Sequence, residues 1–271
     1  MQLRDQIIVI TGGANGIGRA MARRFAAESP TAIVIADLQQ AAADSTAKEI
    51  AGMKDGKVAV HAVGCDVRRE ADVQQLVQFT VSRYGRVDLF VSNAGTTVKG
   101  DCQVSDEDWQ QVWQVNVMGH VYAARAVIPQ MLSQGSGYWL TTASAAGLLT
   151  EIGSAPYSVS KHAAVALTEW MSVQYQRQGL KFSCLCPAGV QTGFLDLEDP
   201  IHQFLHMSSV TPEFTAECVI DGLATERFLI LPHPEVAEFF RFKTENYEAW
   251  LKNFSRVKQR LDQLAKKRAG S

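Results

Sequence analysis

Tyr157 and Lys161 lie four residues apart in the segment YSVSK, a spacing that places both side chains on one face of a helix. An unperturbed phenol titrates at a pKa of about 10. A lysine ammonium, together with a positively charged ligand, would stabilise the phenolate and lower this pKa by about two to three units. Alone, such a pair is usually a surface or boundary pair, but with supporting polar groups it predicts a general acid and base that acts near neutral pH.

Ser144 precedes this pair and follows a predicted strand, GYWLTT. Its hydroxyl would donate a hydrogen bond to a substrate oxygen and stabilise the alkoxide charge that develops there. Tyr157 would then remove the hydroxyl proton of an alcohol during oxidation and return it during reduction.

A glycine-rich turn follows the first predicted strand, IIVI (7–10), in the segment TGGANGIGRA (11–20). Gly12, Gly16 and Gly18 permit a tight turn and a close approach of the backbone to a ligand. The positive N-terminus of the following helix suits a pyrophosphate. The spacing G-x-x-x-G-x-G differs from the commonest dinucleotide fingerprint, G-x-G-x-x-G, and by itself would also suit a plain tight turn.

Asp37 ends the second predicted strand, at a position where a carboxylate can accept hydrogen bonds from both ribose hydroxyls of an adenosine. Its charge would repel a 2′-phosphate, and neither Asn15 nor Leu38 is a base that could neutralise one. These residues favour NAD over NADP. Capping of a helix that begins near Gln39 is the structural alternative for Asp37, and the two roles are compatible.

Seven short apolar runs alternate with helical patterns along the chain. The predicted strands are 7–10, 31–36, 58–63, 87–92, 137–142, 181–186 and 228–232. Several are continuously apolar, as expected of strands that are covered on both faces. We therefore predict an α/β fold, a Rossmann-like doubly wound parallel sheet of about seven strands with helices on both faces. Residues 1–271 are predicted to form a single domain, to which 233–271 add an aromatic-rich C-terminal helical extension.

Composition argues against several classes of partner. Of 271 residues, 46% are hydrophobic, and 26 Lys and Arg balance 28 Asp and Glu, so neither a nucleic acid nor another polyanion is indicated. No apolar run approaches the length of about 20 residues that a membrane span needs.

The five cysteines are scattered and no signal peptide is evident, so we expect reduced thiols and a cytoplasmic protein. His202 and His206 lack a third ligand, so no metal is predicted.

The motifs, taken in chain order, resemble those of the short-chain dehydrogenases and reductases over roughly residues 5–232. The matching segments are TGGANGIG (11–18), DV (66–67), NAG (93–95), Asn116 in NVMG, Ser144 in TTASAAG, YSVSK (157–161) and CPAGVQT (186–192). The resemblance implies an enzyme that self-associates as a dimer or tetramer through the helices near 105–132 and 156–178. The chain departs from the family pattern at Ala188, where glycine is usual. We expect a slightly altered loop there, because alanine tolerates positive φ poorly.

The resemblance also assigns residues to a dinucleotide. The cofactor-binding set is Gly12, Asn15, Gly16, Ile17, Gly18, Asp37, Leu38, Asp66, Val67, Asn93, Ala94, Gly95, Tyr157, Lys161, Pro187, Val190 and Thr192. Within it, Asp66 and the Val67 backbone would contact the adenine, and Lys161 would hold the nicotinamide ribose. Val190 and Thr192 would hold the nicotinamide carboxamide.

The catalytic set is Asn116, Ser144, Tyr157 and Lys161, in which Asn116 would anchor a water that leads to solvent. We expect the substrate pocket at the carboxyl ends of the strands, in the loop after Gly95 and in 145–154 and 193–210. Its apolar candidates are Leu148, Leu149, Ile152, Phe194, Leu195, Phe204, Leu205 and Met207. We predict an NAD-dependent oxidoreductase that interconverts a secondary alcohol and a ketone on a hydrophobic or aromatic small molecule. An NADPH-linked ketoreductase and a non-catalytic dinucleotide sensor or scaffold are the alternatives.

Overall fold

The strand that leads into the glycine-rich turn lies inside a seven-stranded parallel sheet. The computed structural model describes residues 1–53, 58–194 and 208–269, with side chains as far as residue 263. The strands are β1 (Ile7–Thr11), β2 (Ala32–Asp37), β3 (Ala59–Gly64), β4 (Leu89–Ser92), β5 (Gly137–Thr142), β6 (Leu180–Leu185) and β7 (Leu229–Ile230). Their order in the sheet is β3-β2-β1-β4-β5-β6-β7. The predicted doubly wound sheet is confirmed, and the predicted strand ends differ from these by at most two residues.

Helices surround the sheet. They are α1 (Gly16–Ala26), α2 (Gln40–Ala51), α3 (Glu70–Tyr84), α4 (Asp106–Trp113), α5 (Gly119–Gln134), α6 (Ala146–Leu149), α7 (Ala155–Tyr175), α8 (Pro212–Ala224), α9 (Pro234–Glu245) and α10 (Tyr247–Ala269). The hydroxyls of Ser105, Ser154 and Thr211 cap α4, α7 and α8 by accepting an N–H of the first turn. Within the described part of the chain, no helix combines the length and the apolar character that crossing a membrane requires.

Alternation along the central strand sends its side chains into two apolar layers. Ile8 and Ile10 belong to one layer, together with Phe25 of α1. Val9 belongs to the other layer, together with Trp139 of β5. None of these five side chains is accessible to solvent. Because both faces of β1 are covered, its sequence is a continuous apolar run rather than an alternating one.

The connections of the sheet change direction between β1 and β4. From β1 the chain proceeds to β2 and β3 on one side, whereas β4 to β7 extend on the other side. The loops after β1 and β4 therefore diverge and open a crevice at the carboxyl ends of the strands. The register pairs Ile10 with Val91, which brings the glycine-rich turn beside the NAG segment.

The C-terminal extension packs on a third apolar cluster. Val236 and Trp250 of the extension are buried with Val165 of α7 and Cys184 of β6. The Trp250 ring stacks on that of Phe254 with a centroid separation of 4.9 Å. The predicted helical extension is confirmed, and this cluster accounts for its aromatic content.

Candidate active site

The beginning of α7 places Tyr157 and Lys161 in the crevice. The Ser154 hydroxyl accepts the Tyr157 N–H at 3.1 Å, which fixes the first turn of the helix. The Lys161 Nζ lies 5.5 Å from the centre of the Tyr157 ring. The two side chains are therefore neighbours, as their spacing in the sequence predicts.

Ser144 follows β5 and faces the same phenol. Hydrogen bonding from Ser144 favours the phenolate form of Tyr157. The Ser144 Oγ also accepts the Ala146 N–H at 3.1 Å and donates to the Pro187 carbonyl at 3.3 Å. These two hydrogen bonds orient the serine hydroxyl near the phenol, although Ser144 and Tyr157 come from different elements.

Burial dominates the ionisation of Tyr157. The loss of hydration around the phenolate raises the pKa of the phenol, the hydrogen bond with Ser144 opposes this rise, and the Glu151 charge adds to it. The protein groups by themselves therefore raise this pKa, whereas the predicted decrease combined the Lys161 ammonium with a positively charged ligand. That prediction left out the desolvation of the phenol.

Lys161 is 2% exposed, and its Nζ donates to the Thr142 carbonyl at 2.9 Å. Burial lowers the pKa of Lys161 to about 8, while the Cys184 and Cys186 thiols oppose the decrease. The ammonium is therefore still charged at neutral pH. A Cβ added at Gly95 would lie 3.4 Å from this Nζ, so the loop after β4 closes over the lysine.

Asn116 ties the loop after β4 to α7. It lies in a π-helical turn, Gln114–Met118, of a kind often found at functional sites. Its amide oxygen accepts the Thr96 N–H at 2.8 Å, and its amide nitrogen donates to the Thr96 carbonyl at 2.9 Å and to the Ser160 hydroxyl at 3.0 Å. The side chain is thus engaged by protein groups, and its contact with a water stays a prediction.

The glycine-rich turn has a shape that fits a phosphate group. Gly12 and Gly16 have φ values of 61° and 51°, in the region that favours glycine. A Cβ at Gly18 would lie 2.1 Å from the Gly12 carbonyl oxygen, so only glycine fits there. The Asn15 side chain does not cap α1, and the first turn of α1 has no acidic residue. Its N–H groups are therefore suited to an anion such as a pyrophosphate.

The NAG segment closes the other side of this turn. The Asn93 amide nitrogen donates to the carbonyls of Thr11 and Gly12 at 3.0 Å each. In return, the Thr11 hydroxyl accepts the N–H groups of Asn93 and Ala94 at 3.0 Å and 3.2 Å. The ends of β1 and β4 are thereby locked together at the crevice.

Asp37 ends β2 beside the glycine-rich turn. One carboxylate oxygen accepts the Ala14 N–H and the other accepts the Gln39 N–H, both at 3.1 Å. The carboxylate therefore contacts the turn and the residue before α2 at once, in line with the two compatible roles expected of it. The adjacent Leu38 side chain is apolar and 65% exposed.

The segment after β3 carries an ion pair that its motif does not indicate. The Arg68 guanidinium lies 2.7 Å from the Asp66 carboxylate. Hydrogen bonding to Arg68 lowers the pKa of Asp66. Val67 packs against α5, where a Cβ added at Gly119 would lie 3.2 Å from the Val67 Cβ.

The loop after β6 approaches the glycine-rich turn. Val190 forms an isolated β-bridge with Val210, and the Thr192 methyl group lies 3.3 Å from the position of a Cβ added at Gly16.

The described non-glycine residues with positive φ are Asp5, Ser29, Thr150 and Glu226. Ala188 is not one of them, so it carries none of the strain expected of an alanine at positive φ.

The predicted pocket walls need a correction. Leu148 and Leu149 are buried in the cluster formed with the C-terminal extension, so they do not line the pocket. Phe194 does lie at the site, with its ring centroid 6.3 Å from that of Tyr157. The residues Leu195, His202, Phe204, Leu205, His206 and Met207 lie outside the described residues. Over the described ranges, no three His, Cys, Asp or Glu side chains converge in a way that could hold a metal.

Three buried polar residues near the site have no signal in the sequence motifs. His120 lies one helical turn after Asn116, and its Nδ1 is 2.6 Å from the Ser92 hydroxyl. Burial and then the Lys161 charge lower the pKa of His120 to about 3, so this imidazole is neutral. The other two, His233 and Lys243, belong to the C-terminal extension and contact the segments on either side of Ser144.

Comparison with known proteins agrees with this arrangement. The family model described as short chain dehydrogenase matches residues 6–200. The chain belongs to this short-chain dehydrogenase family. Membership makes the chain an oxidoreductase whose substrates are small molecules.

Relatives of this short-chain dehydrogenase match over most of its length. It is 30% identical over 259 residues to the CLA biosynthesis dehydrogenase/reductase of Lactiplantibacillus plantarum, with 86% of this chain and 89% of that protein covered. It is 31% identical over 229 residues to 17-beta-hydroxysteroid dehydrogenase 13 of Rattus norvegicus, with 83% and 74% covered. A crystal structure of a short-chain dehydrogenase/reductase from Burkholderia phymatum in complex with NAD matches with a TM-score of 0.81 and 31% identity, over 92% of this chain and 96% of that one. The last match supports a nicotinamide dinucleotide as the cofactor.

Proposed function

We propose that this short-chain dehydrogenase uses NAD to interconvert a secondary alcohol and a ketone on a hydrophobic or aromatic small molecule. The observation that carries the proposal is that Ser144 and Tyr157 meet in the crevice, where hydrogen bonding from Ser144 opposes the rise in the pKa of the phenol. Two hydroxyls held side by side can contact one substrate oxygen, one as a hydrogen-bond donor and the other as the proton-transfer group. The Lys161 ammonium lies 5.5 Å from the centre of the Tyr157 ring and adds a positive charge beside it.

Tyr157 and Ser144 have different roles at the substrate oxygen, proton transfer for Tyr157 and charge stabilisation for Ser144. During oxidation, Tyr157 removes the hydroxyl proton while Ser144 stabilises the negative charge that develops. When bound, the nicotinamide ring supplies the hydride acceptor for oxidation and the hydride donor for reduction. During reduction, Tyr157 donates its proton to the carbonyl oxygen. Because burial raises the pKa of Tyr157, the phenol is protonated at neutral pH, which is the form that reduction needs.

Lys161 makes the phenolate easier to form during oxidation. Its pKa is lowered to about 8, so the ammonium is charged at neutral pH and stabilises a negative charge on the neighbouring phenol. We assign the nicotinamide ribose to the same ammonium, as the family resemblance implies. Asn116 keeps the loop after β4 in place, and the water that it anchors connects the lysine to solvent.

Asp37 supports NAD over NADP. Each of its carboxylate oxygens accepts one backbone N–H, which leaves lone pairs for the ribose hydroxyls. Its charge would repel a 2′-phosphate, and the neighbouring Leu38 cannot neutralise one. Arg19 and Arg23 of α1 are both paired with Glu49, at 2.6 Å each.

Apolar side chains at the site support a hydrophobic substrate. The Phe194 ring is 43% exposed and lies close to the Tyr157 ring. Ile152, on the segment between α6 and α7, is half-buried. The name of the rat relative specifies a hydroxysteroid, which is a hydrophobic alcohol.

A second copy of the chain is the proposed partner of the outer face of α7. Val159, Trp170 and Val173 of this face are 49%, 58% and 76% exposed. A groove of about 300 Å³ lies between α5 and α7 beside Trp170. Exposed apolar surface of this kind on a helix pair suits self-association. Light scattering should give a mass above that of one chain, and Trp170→Glu should reduce it to that of a monomer.

The test is a screen of secondary alcohols and ketones, hydroxysteroids included, with NAD(H) and NADP(H), in which turnover is followed by nicotinamide absorbance. We expect turnover with NAD(H), and a loss of at least about a hundredfold in Ser144→Ala. Ser133→Ala, at an exposed serine of α5, is the control and should keep full activity. Preference for NADPH would favour a ketoreductase instead. NADH binding without turnover of any compound would favour a non-catalytic sensor.

A further inference from the structure

The C-terminal extension reaches both loops that flank the Ser144 hydroxyl. The Lys243 Nζ of α9 donates to the Leu148 carbonyl of α6 at 2.6 Å. Just before α9, the His233 Nδ1 accepts the Ala188 N–H at 3.2 Å, in the loop after β6. Both side chains are buried, since Lys243 is 8% and His233 is 2% exposed.

Helix α6 needs support from outside because it has only four residues. At its beginning, the Ser144 Oγ accepts the Ala146 N–H at 3.1 Å. At its end, Lys243 binds the Leu148 carbonyl, where a positive charge also complements the helix dipole. The next residue after the helix, Thr150, has a φ of 78° and ends it. Lys243 and Ser144 therefore hold opposite ends of the same helical turn.

A second route leads from the extension to the same hydroxyl. The Pro187 carbonyl accepts the Ser144 hydroxyl at 3.3 Å and the Ala145 N–H at 2.8 Å. The following residue, Ala188, gives its N–H to His233. The loop that supplies the acceptor for Ser144 is therefore itself held by the extension.

Packing alone does not account for a lysine at position 243. Burial lowers the pKa of Lys243, because its ammonium loses hydration. An apolar side chain of similar length would fill this space without that penalty. The contribution of the lysine is therefore polar, through its hydrogen bond to the Leu148 carbonyl and its place over the Tyr247 ring, 5.8 Å from the ring centre.

We propose that the C-terminal extension belongs to the catalytic apparatus. Lys243 is a positioning residue that fixes the Ser144 hydroxyl through α6. His233 supports the same hydroxyl through the loop after β6. The inference rests on the proposed role of Ser144 in catalysis, and it predicts that loss of the Lys243 hydrogen bond loosens α6 and slows turnover.

Hydrogen–deuterium exchange on the cofactor-free protein tests the first step without any turnover. Lys243→Met keeps the length of the side chain and removes the donor. We expect amide exchange in residues 145–150 to accelerate about tenfold or more, while exchange in α1 stays unchanged. Arg241→Met, at an exposed position of the same helix, is the matched control and should exchange like the wild type. Exchange in 145–150 within about twofold of the wild type in Lys243→Met would overturn the proposal.

A double-mutant cycle tests the connection to the serine. We expect Lys243→Met to lower kcat about tenfold or more, while the NADH affinity stays within about twofold of the wild type. In the Ser144→Ala background, the same substitution should have almost no further effect, because the hydroxyl that Lys243 positions is gone. An equal loss in both backgrounds would mean that the lysine acts elsewhere, and the proposal would then be wrong.

The two measurements separate the inference from the proposed function. If no alcohol or ketone is turned over, the proposed function fails, whereas the exchange experiment still decides whether Lys243 holds α6. If Lys243→Met does not fold, His233→Leu and His233→Asn replace it, because asparagine keeps an acceptor for the Ala188 N–H and leucine does not. Faster exchange at residues 145 and 188 in His233→Leu, but not in His233→Asn, supports the proposal. Equal exchange in the two variants contradicts it.

Discussion

The Lys161 ammonium lies 5.5 Å from the centre of the Tyr157 ring and donates its hydrogen bond to the Thr142 carbonyl. It therefore acts on the phenol through space, from a position that the carbonyl fixes. The ammonium itself is buried, and Tyr157 is half-buried, so water screens the interaction less than it would at the surface. Burial raises the pKa of Tyr157, and hydrogen bonding from Ser144 opposes this rise.

Tyr157→Phe removes the proton-transfer group and keeps the ring. We expect turnover to fall by about three orders of magnitude while the affinity for NADH changes by less than about twofold. Initial rates and a fluorescence titration with NADH measure the two quantities. Tyr122→Phe, at a ring of α5 that packs on Arg125, is the control and should stay fully active. Turnover of Tyr157→Phe within a few-fold of the wild type would contradict the assignment.

Lys161 predicts the pH dependence of alcohol oxidation. Burial lowers its pKa from 10.5 to about 8, so the ammonium is charged below that pH and neutral above it. Because the charged form lowers the pKa of Tyr157, Lys161→Met should move the acid limb of the kcat/KM profile to higher pH. The exposed Lys252 serves as a control, and its replacement by Met should leave the profile unchanged. Profiles of wild type and Lys161→Met that superimpose would show that this charge does not reach the phenol.

Asp37→Asn removes a negative charge and keeps one hydrogen-bond acceptor for the neighbouring N–H groups. We expect the Kd for NAD to rise about ten- to a hundredfold, because hydrogen bonds to a charged group are worth about 1.5–3 kcal/mol. Binding of NADP should weaken less or improve, so the ratio of the two constants is the readout in a calorimetric titration. Glu248→Gln, on the exposed side of α10, removes the same charge far from the turn. An unchanged ratio in Asp37→Asn would refute the role of Asp37 in cofactor choice.

Trp250→Ala should lower the free energy of unfolding by about 3–5 kcal/mol, because it empties a large part of the cluster under the C-terminal extension. Leu251→Ala, at a neighbour that is 55% exposed, should cost less than about 0.5 kcal/mol. Urea denaturation measures both values. We propose that residues 1–271 form a single domain, so tryptophan fluorescence and circular dichroism should report one common transition. An earlier, separate transition of the extension would argue for two domains.

The strands could be predicted because parallel strands that are covered on both faces become short apolar runs, as in β1 and β2. The glycine-rich turn and the pair Tyr157 and Lys161 could also be predicted, because each is a pattern of residues within a short stretch of sequence. Their meeting at one edge of the sheet then follows from the parallel topology.

Contacts between distant segments could not be predicted. Lys243 and Leu148 are 95 residues apart, and nothing near either residue marks the other as its partner. The apolar character of Leu148 and Leu149 suits a pocket wall and a core equally well, and the extension that covers them decides between the two. The direction of the Tyr157 pKa shift likewise depends on burial by the whole fold, which no local pattern contains.

The close approach at Gly18 limits which mutations the enzyme can accept over evolutionary time. Every other amino acid would place a Cβ 2.1 Å from the Gly12 carbonyl oxygen. A saturation library selected for activity should therefore return glycine alone at this codon, whereas Gly52, where an added Cβ would find its nearest atom at 3.5 Å, should also return alanine. Lineages that inherit this turn should therefore keep glycine at position 18, whereas position 52 can vary.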